Sequence, residues 1–302
     1  MEHAVLRARH RLHESPLFGE AGLCRMLDAH PRDEIHIHTM SGTSAAPEYR
    51  DADIGESSGA EVLEAVRRGK LWVSVLDMQE HHPACEELLA DMYAELEATC
   101  PGFRSYADSR LMNLLISSPR AEVFYHADAS LNMLWHLRGR KRLYVYPPWD
   151  ERFLDAGQRE MCLLGTLVDG PWRPELDAEA SVFNMDPGDV VTWPQSTPHR
   201  VVNLEGLNVS LSTEHYTPDA RRRKLVAGAN WWLRNRWRIP ARSLEIRGPA
   251  ALAKRTAFRA ARLARRLIDA RAALVPEDPA PPITIRVDPS GPDGYIELSP
   301  RV

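Results

Sequence analysis

The stretch FYHADASLNMLWHLRGRKRLYVYPP, residues 124–148, decides how the rest of the chain is read. Apolar and aromatic residues fall at most other positions, the period-two pattern of a β-strand. Near its start His126 and Asp128 stand two apart, so on a strand both side chains leave the same face. An imidazole beside a carboxylate on one face is two metal ligands in want of a third. Seventy-one residues beyond Asp128, the segment DPGDVVTWPQSTPHRVV brings His199 to the start of another β-rich run. Two histidines and one carboxylate leave half of an octahedron open, the arrangement of non-haem Fe(II) oxygenases. HxD alone recurs by chance. HxD on a strand, followed by a histidine after a PGD turn, is a far more specific signal.

Around this pair, residues 105–216 break into short β-rich runs separated by turn signals. They are SRLMNLLISS, AEVFYHAD, SLNMLWHLRG, KRLYVYPP, SVFNMDPGDVVTWP, PHRVVNLEG and LNVSLSTEHY, with DPGD at 186–189 as a tight turn. Seven or eight strands in about 110 residues predict an antiparallel sandwich or barrel. On LNVSLST the residues Asn208, Ser210 and Ser212 share one face, and a polar face turned into a barrel is natural for a site.

Before this core, residues 1–30 read as mostly helical, with a capped start at Ser15-Pro16 and a stop at Pro31. EIHIHTM at 34–40 alternates like a strand, and SGTSAAPEYRDADIGESSG reads as a long polar loop. EVLEAVRRG predicts a short helix ending at Gly69, LWVSVLDM at 71–78 a strand, and PACEELLADMYAELEATC at 83–100 a helix. After Pro218 the pattern is helical and basic. PEDPAPP at 276–282 breaks it, and ITIRVDPSGPDGYIEL reads as a terminal hairpin. The expected organisation is therefore a bracing segment at 1–104, a β-core at 105–216, a basic helical extension at 217–275 and a tail at 276–302.

The 302 residues are 44% hydrophobic and 26% charged, an ordinary globular composition. MEHAVLRARHRLHESP lacks the apolar core of a signal peptide, and LVAGANWWL at 225–233 is too short to span a bilayer. The four cysteines form no CxxC pair, which argues against a zinc-thiolate or disulfide framework and fits a reducing cytoplasm. The net charge of −4 conceals an asymmetry: residues 221–271 hold sixteen Lys/Arg against two acids. A basic extension on an acidic body points to partners. WWLRNRW at 231–237 interleaves tryptophan with arginine, which suits a homodimer or domain contact, an anionic membrane or lipid-like partner at its inner face, or nucleic acid.

The blocks HADASLNMLWHLRGRKRLYVYPP and PGDVVTWPQSTPHRVVN resemble the JmjC/cupin-8 family of Fe(II)- and 2-oxoglutarate-dependent oxygenases. The resemblance implies a mainly β fold with helical flanks: a double-stranded β-helix (jelly-roll, cupin) core, an N-terminal α/β bracing segment and C-terminal helices. It also implies His126, Asp128 and His199 as iron ligands. In the asparaginyl-hydroxylase branch a lysine fifteen residues after the first histidine holds the far carboxylate of 2-oxoglutarate, and Lys141 stands at that spacing. Asn132, six after the histidine, matches a cosubstrate-site asparagine of that branch. Ser212 and Ser117 are further candidates for the cosubstrate, although the family often has asparagine or threonine near Ser212. Members that halogenate replace the carboxylate by a small residue, so an intact Asp128 implies hydroxylation with O2 as cosubstrate and succinate and CO2 as products.

The remaining histidines read as structural. His36 and His38 share a strand face, but the glutamate that HxH cupins place four or five residues later is missing. His81-His82 precedes a helix with no visible partner and reads as a surface loop. Glu214 and His215 follow the last core strand at the barrel mouth, which the stretches 41–60 and 150–180 are expected to cover and where specificity should reside. The leading expectation is a hydroxylase of unidentified substrate. Its rivals are a non-catalytic metal-binding module that docks through the basic extension, and a zinc or manganese cupin isomerase, which leaves Lys141 without a task.

Overall fold

A computed structural model of the chain describes residues 2–165, 168–169, 172–269 and 283–298. Its architecture rests on two long strands, β7 (Leu131–Val145) and β11 (His199–His215), each of which passes through two sheets. The sequence suggested four short strands here, but each pair is one strand bent at a glycine. Gly139 and Gly206 have φ of 79° and 69°, the left-handed region that glycine enters without a Cβ penalty.

Beyond the bends the partners change. The first half of β7 pairs with β10 (Asp189–Trp193) and with residues 209–215 of β11. Its second half, Lys141–Val145, pairs with β9 (Ser181–Met185) and with residues 199–203 of β11. The major sheet continues from β11 through β5 (Leu111–Ser117), β4 (Leu71–Val75), β2 (Ile35–Thr39) and β3 (Asp51–Asp53). The minor sheet continues from β11 through β6 (Glu122–Ala127) to β8 (Val168–Asp169). Between the sheets lie Leu134, Leu143, Val145, Met185, Val191, Trp193 and Val201, all buried. The opposite face of the major sheet packs under α1 (Glu20–Ala29), α2 (Gly59–Arg68) and α4 (Pro83–Thr99), through side chains such as Leu23, Val62 and Tyr93. The strand-rich core is thus the antiparallel sandwich that its pattern predicted, and the jelly-roll that the resemblance implied.

Several elements depart from the sequence reading. Residues 12–29 are helical as read, with Ser15 capping the turn Pro16–Phe18 and α1 ending before Pro31, but Leu6–Arg9 forms a strand, β1, paired with β10 at the sheet edge. The cause is charge. Asp189 is fully buried, and Arg7 and Arg9, two apart on one strand face, reach its carboxylate at 2.9 and 3.0 Å. The polar stretch 41–59 contains β3, and LWVSVLDM stops as a strand at Val75 because Met78 opens α3 (Met78–His81). The hairpin of β12 (Ile285–Val287) and β13 (Tyr295–Glu297) is present, but it extends the major sheet by pairing β12 parallel to β3. PEDPAPP at 276–282 lies outside the described residues.

After the core, α6 (Pro218–Trp237) and α7 (Gly248–Asp269) pack together, with Phe258 against the bare backbone of Gly228. Between the core and these helices, α5 (Ala156–Leu163) touches both α6 and β8 of the minor sheet. Trp231 and Trp237 stand exposed. Among the described residues no helix is long and apolar enough to cross a membrane.

The two bends predict different tolerances. A Cβ on Gly139 would meet the Leu207 carbonyl at 2.7 Å, whereas one on Gly206 finds nothing nearer than 3.8 Å. Gly206→Ala should cost about 1–2 kcal/mol of left-handed strain. Gly139→Ala should cost distinctly more, and chemical denaturation of the two variants measures the difference.

Candidate metal centre

β6 and β11 run antiparallel with His126 opposite His199, and the two imidazole centroids are 4.2 Å apart. Asp128 sits in the turn after β6, with its Oδ2 3.4 Å from His199 Nε2 and its Oδ1 3.9 Å from His126 Nε2. One donor atom from each of the three lies within 4.8 Å of the others. The Nδ1 of His126 is 2.7 Å from the Phe124 carbonyl, and the Nδ1 of His199 is 3.0 Å from that of Thr197. A ring nitrogen facing a carbonyl carries the proton, so each Nε2 turns a lone pair towards Asp128. Burial, and then repulsion from His126, pull His199 down to about 4, so its ring is neutral at physiological pH.

The turns that carry the ligands are tied to each other. Ser196, in a left-handed conformation at φ 56°, donates its backbone N–H to the Asp128 carbonyl at 3.1 Å. Gln195 donates to the Ala129 carbonyl at 2.6 Å. The carboxylate has its own clamp: Asn132 Nδ2 donates to Asp128 Oδ2 at 3.1 Å, and Ser212 Oγ donates to Asn132 Oδ1 at 3.0 Å. Asn132 and Ser212 thus reach the centre through Asp128. Glu214, pushed up to about 7 by burial and then by the Asp128 charge, lies beside Ser130, which donates to its carboxylate.

Lys141 takes a different place. Its Nζ is fully buried and donates to Ser210 Oγ at 2.9 Å. Ser210 is in turn 3.1 Å from His136 Nδ1, whose Nε2 faces the Gly139 carbonyl at 3.0 Å. Burial pulls His136 down to about 3, with the Lys141 charge adding to the effect, so the ring is neutral and accepts the Ser210 hydroxyl. Burial alone pulls Lys141 down to about 7. Among the described residues no carboxylate offsets that burial, so the buried amine has no counter-ion there. Ser117 accepts from Asn203 Nδ2 at 2.8 Å, and Asn203 faces Lys141 in the β7–β11 ladder.

Sequence reading missed His136, which alternates with Asn132 on the strand and could have been found by that periodicity. It also missed two arginines near the mouth. Arg159 and Arg223 lie 4.9 and 4.5 Å from the Trp149 ring centroid. Arg223 donates to Gln195 at 2.8 Å, and Arg159 has one buried nitrogen, Nη1, with no partner among the described residues. No local pattern marks them. The stretch 41–60 does meet this side of the molecule, since Ser44 hydrogen-bonds Glu122 and the Tyr125 N–H. His38 pairs with Asp51 at 2.8 Å, a structural role. His81 and His82 are not partnerless: both contact His30, and His81 also meets Glu34. Two clefts of about 860 and 950 Å³ open elsewhere, and neither is lined by the three ligand candidates.

A bent jelly-roll with two imidazoles and a carboxylate converging on its inner surface defines a cupin-type protein with a candidate metal centre. A model of the cupin-like domain matches residues 39–220, and the chain belongs to that family. No curated protein matches it. Among solved structures it is similar to Escherichia coli YcfD, at 15% identity and a TM-score of 0.48, with 92% of this chain and 72% of that one covered. A structure of YcfD described as a ribosomal oxygenase in complex with cobalt and 2-oxoglutarate matches at 14% identity and 0.46, covering 86% and 63%. The dimethylsulfoniopropionate (DMSP) lyase DddQ from Ruegeria pomeroyi matches at 12% and 0.25, covering 37% and 41%. Likenesses this distant assign neither activity nor substrate.

The clamp on Asp128 yields a prediction. Asn132→Ala leaves the three donors in place but frees the carboxylate to rotate, so Co(II) affinity should fall about 10- to 100-fold. Isothermal titration of the metal-free protein measures it, with Ser212→Ala expected to show a smaller loss.

Proposed function

We propose that the chain is an Fe(II)- and 2-oxoglutarate-dependent oxygenase that hydroxylates its substrate. The observation that carries the reading is a His-Asp-His set in the same barrel as a fully buried lysine that lacks a counter-ion. The donor set suits a divalent first-row metal with open positions. The buried ammonium suits the far carboxylate of a dicarboxylate cosubstrate, a charge-assisted pair in low dielectric. When bound, Fe(II) with 2-oxoglutarate would supply dioxygen activation, with succinate and CO2 released.

The chain's own groups divide the remaining work. His126, Asp128 and His199 would hold the metal, with the Phe124 and Thr197 carbonyls fixing the tautomers and Asn132 fixing the carboxylate. Lys141 would anchor the cosubstrate, while Ser210 and His136 keep its head in place in the cosubstrate's absence. The apolar lining of Leu134, Leu143, Val145 and Val201 keeps water out of the barrel. Arg159 and Arg223, desolvated beside Trp149, favour a substrate with an anionic group near the mouth. Succinate-release screening tests this: anionic candidates should lose their advantage over neutral ones in Arg223→Gln, and equal turnover of both kinds by the wild type counts against it.

Anaerobic titration with Fe(II) and 2-oxoglutarate, watching the weak visible charge-transfer band of the chelate, tests the main reading. The band should vanish in Asp128→Ala. Lys141→Ala should raise the 2-oxoglutarate Kd roughly 10- to 150-fold, the loss of a hydrogen-bonded charge worth about 1.5–3 kcal/mol. A folded wild type that shows no band would sink the reading.

Lys141 also predicts a proton signature. In the folded chain it titrates near 7, while the unfolded value is 10.5. Between those values the unfolded state binds more protons, so stability of the cosubstrate-free protein should rise with pH across that window. An incoming carboxylate restores the ammonium. At pH 8, 2-oxoglutarate binding should therefore take up close to one proton, read from the buffer dependence of the calorimetric enthalpy and absent in Lys141→Met.

A further inference from the structure

A second cluster of imidazoles stands among the helices, sharing no residue with the centre above. His30 caps the C-terminus of α1, Glu34 ends the turn Arg32–Glu34 before β2, His81 ends α3, and His82 caps the N-terminus of α4. His81 Nε2 is 2.8 Å from Glu34 Oε2, and His30 Nε2 is 4.0 Å from the same oxygen. The donor atoms of His30, Glu34 and His81 all lie within 4.8 Å of one another. The His30 side chain is wholly buried, yet among the described residues its Nε2 has no hydrogen-bond partner. Buried ring nitrogens are ordinarily satisfied, so one aimed at an imidazole and a carboxylate calls for a ligand. His82 supplies the outer support: its Nε2 is 3.1 Å from His30 Nδ1, and the two rings stack 15° from parallel. With the proton on His30 Nδ1 and donated to His82, His30 Nε2 is left with its lone pair towards the cluster.

We propose that His30, Glu34 and His81 form a second divalent-metal site, selective for a borderline ion such as Zn(II), with His82 orienting His30. Two imidazoles and one carboxylate suit that ion, and metal–donor distances of about 2.0–2.2 Å place neighbouring donors roughly 3.3 Å apart. The 2.8 Å pair must open slightly and the 4.0 Å pair close by less than an ångström. Glu34 and His81 are partly exposed and free to adjust, and they leave a solvent-facing position for a water as fourth ligand. The ion would join the end of α1 to the α3–α4 junction, locking the helical layer where β2 enters the sheet. Sequence spacing hides the site, because His30 and His81 come from elements separated by three strands and a helix.

The test uses the full chain without a histidine tag and with the first centre disabled. The Asp128→Ala/His199→Ala variant, stripped with chelator, is titrated with Zn(II) against a chromophoric competitor, and again with Co(II) for the absorption of a four-coordinate ion. It should retain one equivalent, show the intense visible Co(II) band and gain thermal stability on loading. Adding His81→Ala should weaken the affinity at least tenfold and remove the band, and His82→Ala should weaken it less. Because His81 is partly exposed, that variant is expected to fold, and circular dichroism checks it. No metal bound at micromolar Zn(II) in the folded parent variant, or one equivalent indifferent to His81→Ala, would overturn the proposal. The outcome does not depend on whether the first centre holds iron.

Discussion

Both sheets of the barrel are tied together because β7 and β11 pair with each other in the two of them, on either side of the register shifts that accompany the glycine bends. The ladder between these strands sets Lys141 opposite Asn203, His136 opposite Ser210 and Leu134 opposite Ser212. The same β11 carries His199 onto β6 opposite His126. A slip of one residue in that ladder would turn every one of these side chains to the other face. The bends at Gly139 and Gly206 let a single pair of strands serve two packed sheets, and the close approach of Gly139 to the Leu207 carbonyl leaves no room for any side chain there.

Within this frame the interior is divided rather than uniformly apolar. One part is filled by Leu134, Leu143, Val145 and their neighbours. The other is a chain of polar groups, from Ser212 through Asn132 to Asp128 and from Lys141 through Ser210 to His136. Burying such groups is unfavourable unless each finds a partner. Nearly all of these do, mostly in one another, and His136 ends its chain on the Gly139 carbonyl. The exception is the charge on Lys141, and an unbalanced buried charge is the kind of local cost that sites retain for binding. Asp189 shows the opposite solution: a buried carboxylate at the sheet edge satisfied by Arg7 and Arg9, which draws the N-terminus into the sheet. On the minor-sheet side Arg200, Asp177, Tyr146 and Trp172 form a comparable knot that pins residues 172–177 against the barrel.

The sequence alone determined the elements whose physics is local. Period-two alternation exposed the β-core and put His126 on a strand beside Asp128, which the structure sets in the turn just after that strand, and the PGD turn marked where His199 begins its strand. Helical periodicity located α2 and α4, although the start of α2 at Ser58, closed by a capping box with Glu61, falls in what reads in sequence as the preceding loop. The jelly-roll and the three candidate ligands were therefore legible before any coordinates. Tertiary structure alone decided what arises between residues far apart in the chain. The N-terminal strand exists because Asp189, some 180 residues away, needs its arginines. β3 forms inside a polar stretch because β2 and β12 offer it hydrogen bonds. Asn132 and Ser212 turned out to brace Asp128, since their separation across the ladder is set by register rather than by spacing. His30, Glu34, His81 and His82 meet because α1 and α4 cover the same sheet face, and no period of strand or helix records such a meeting.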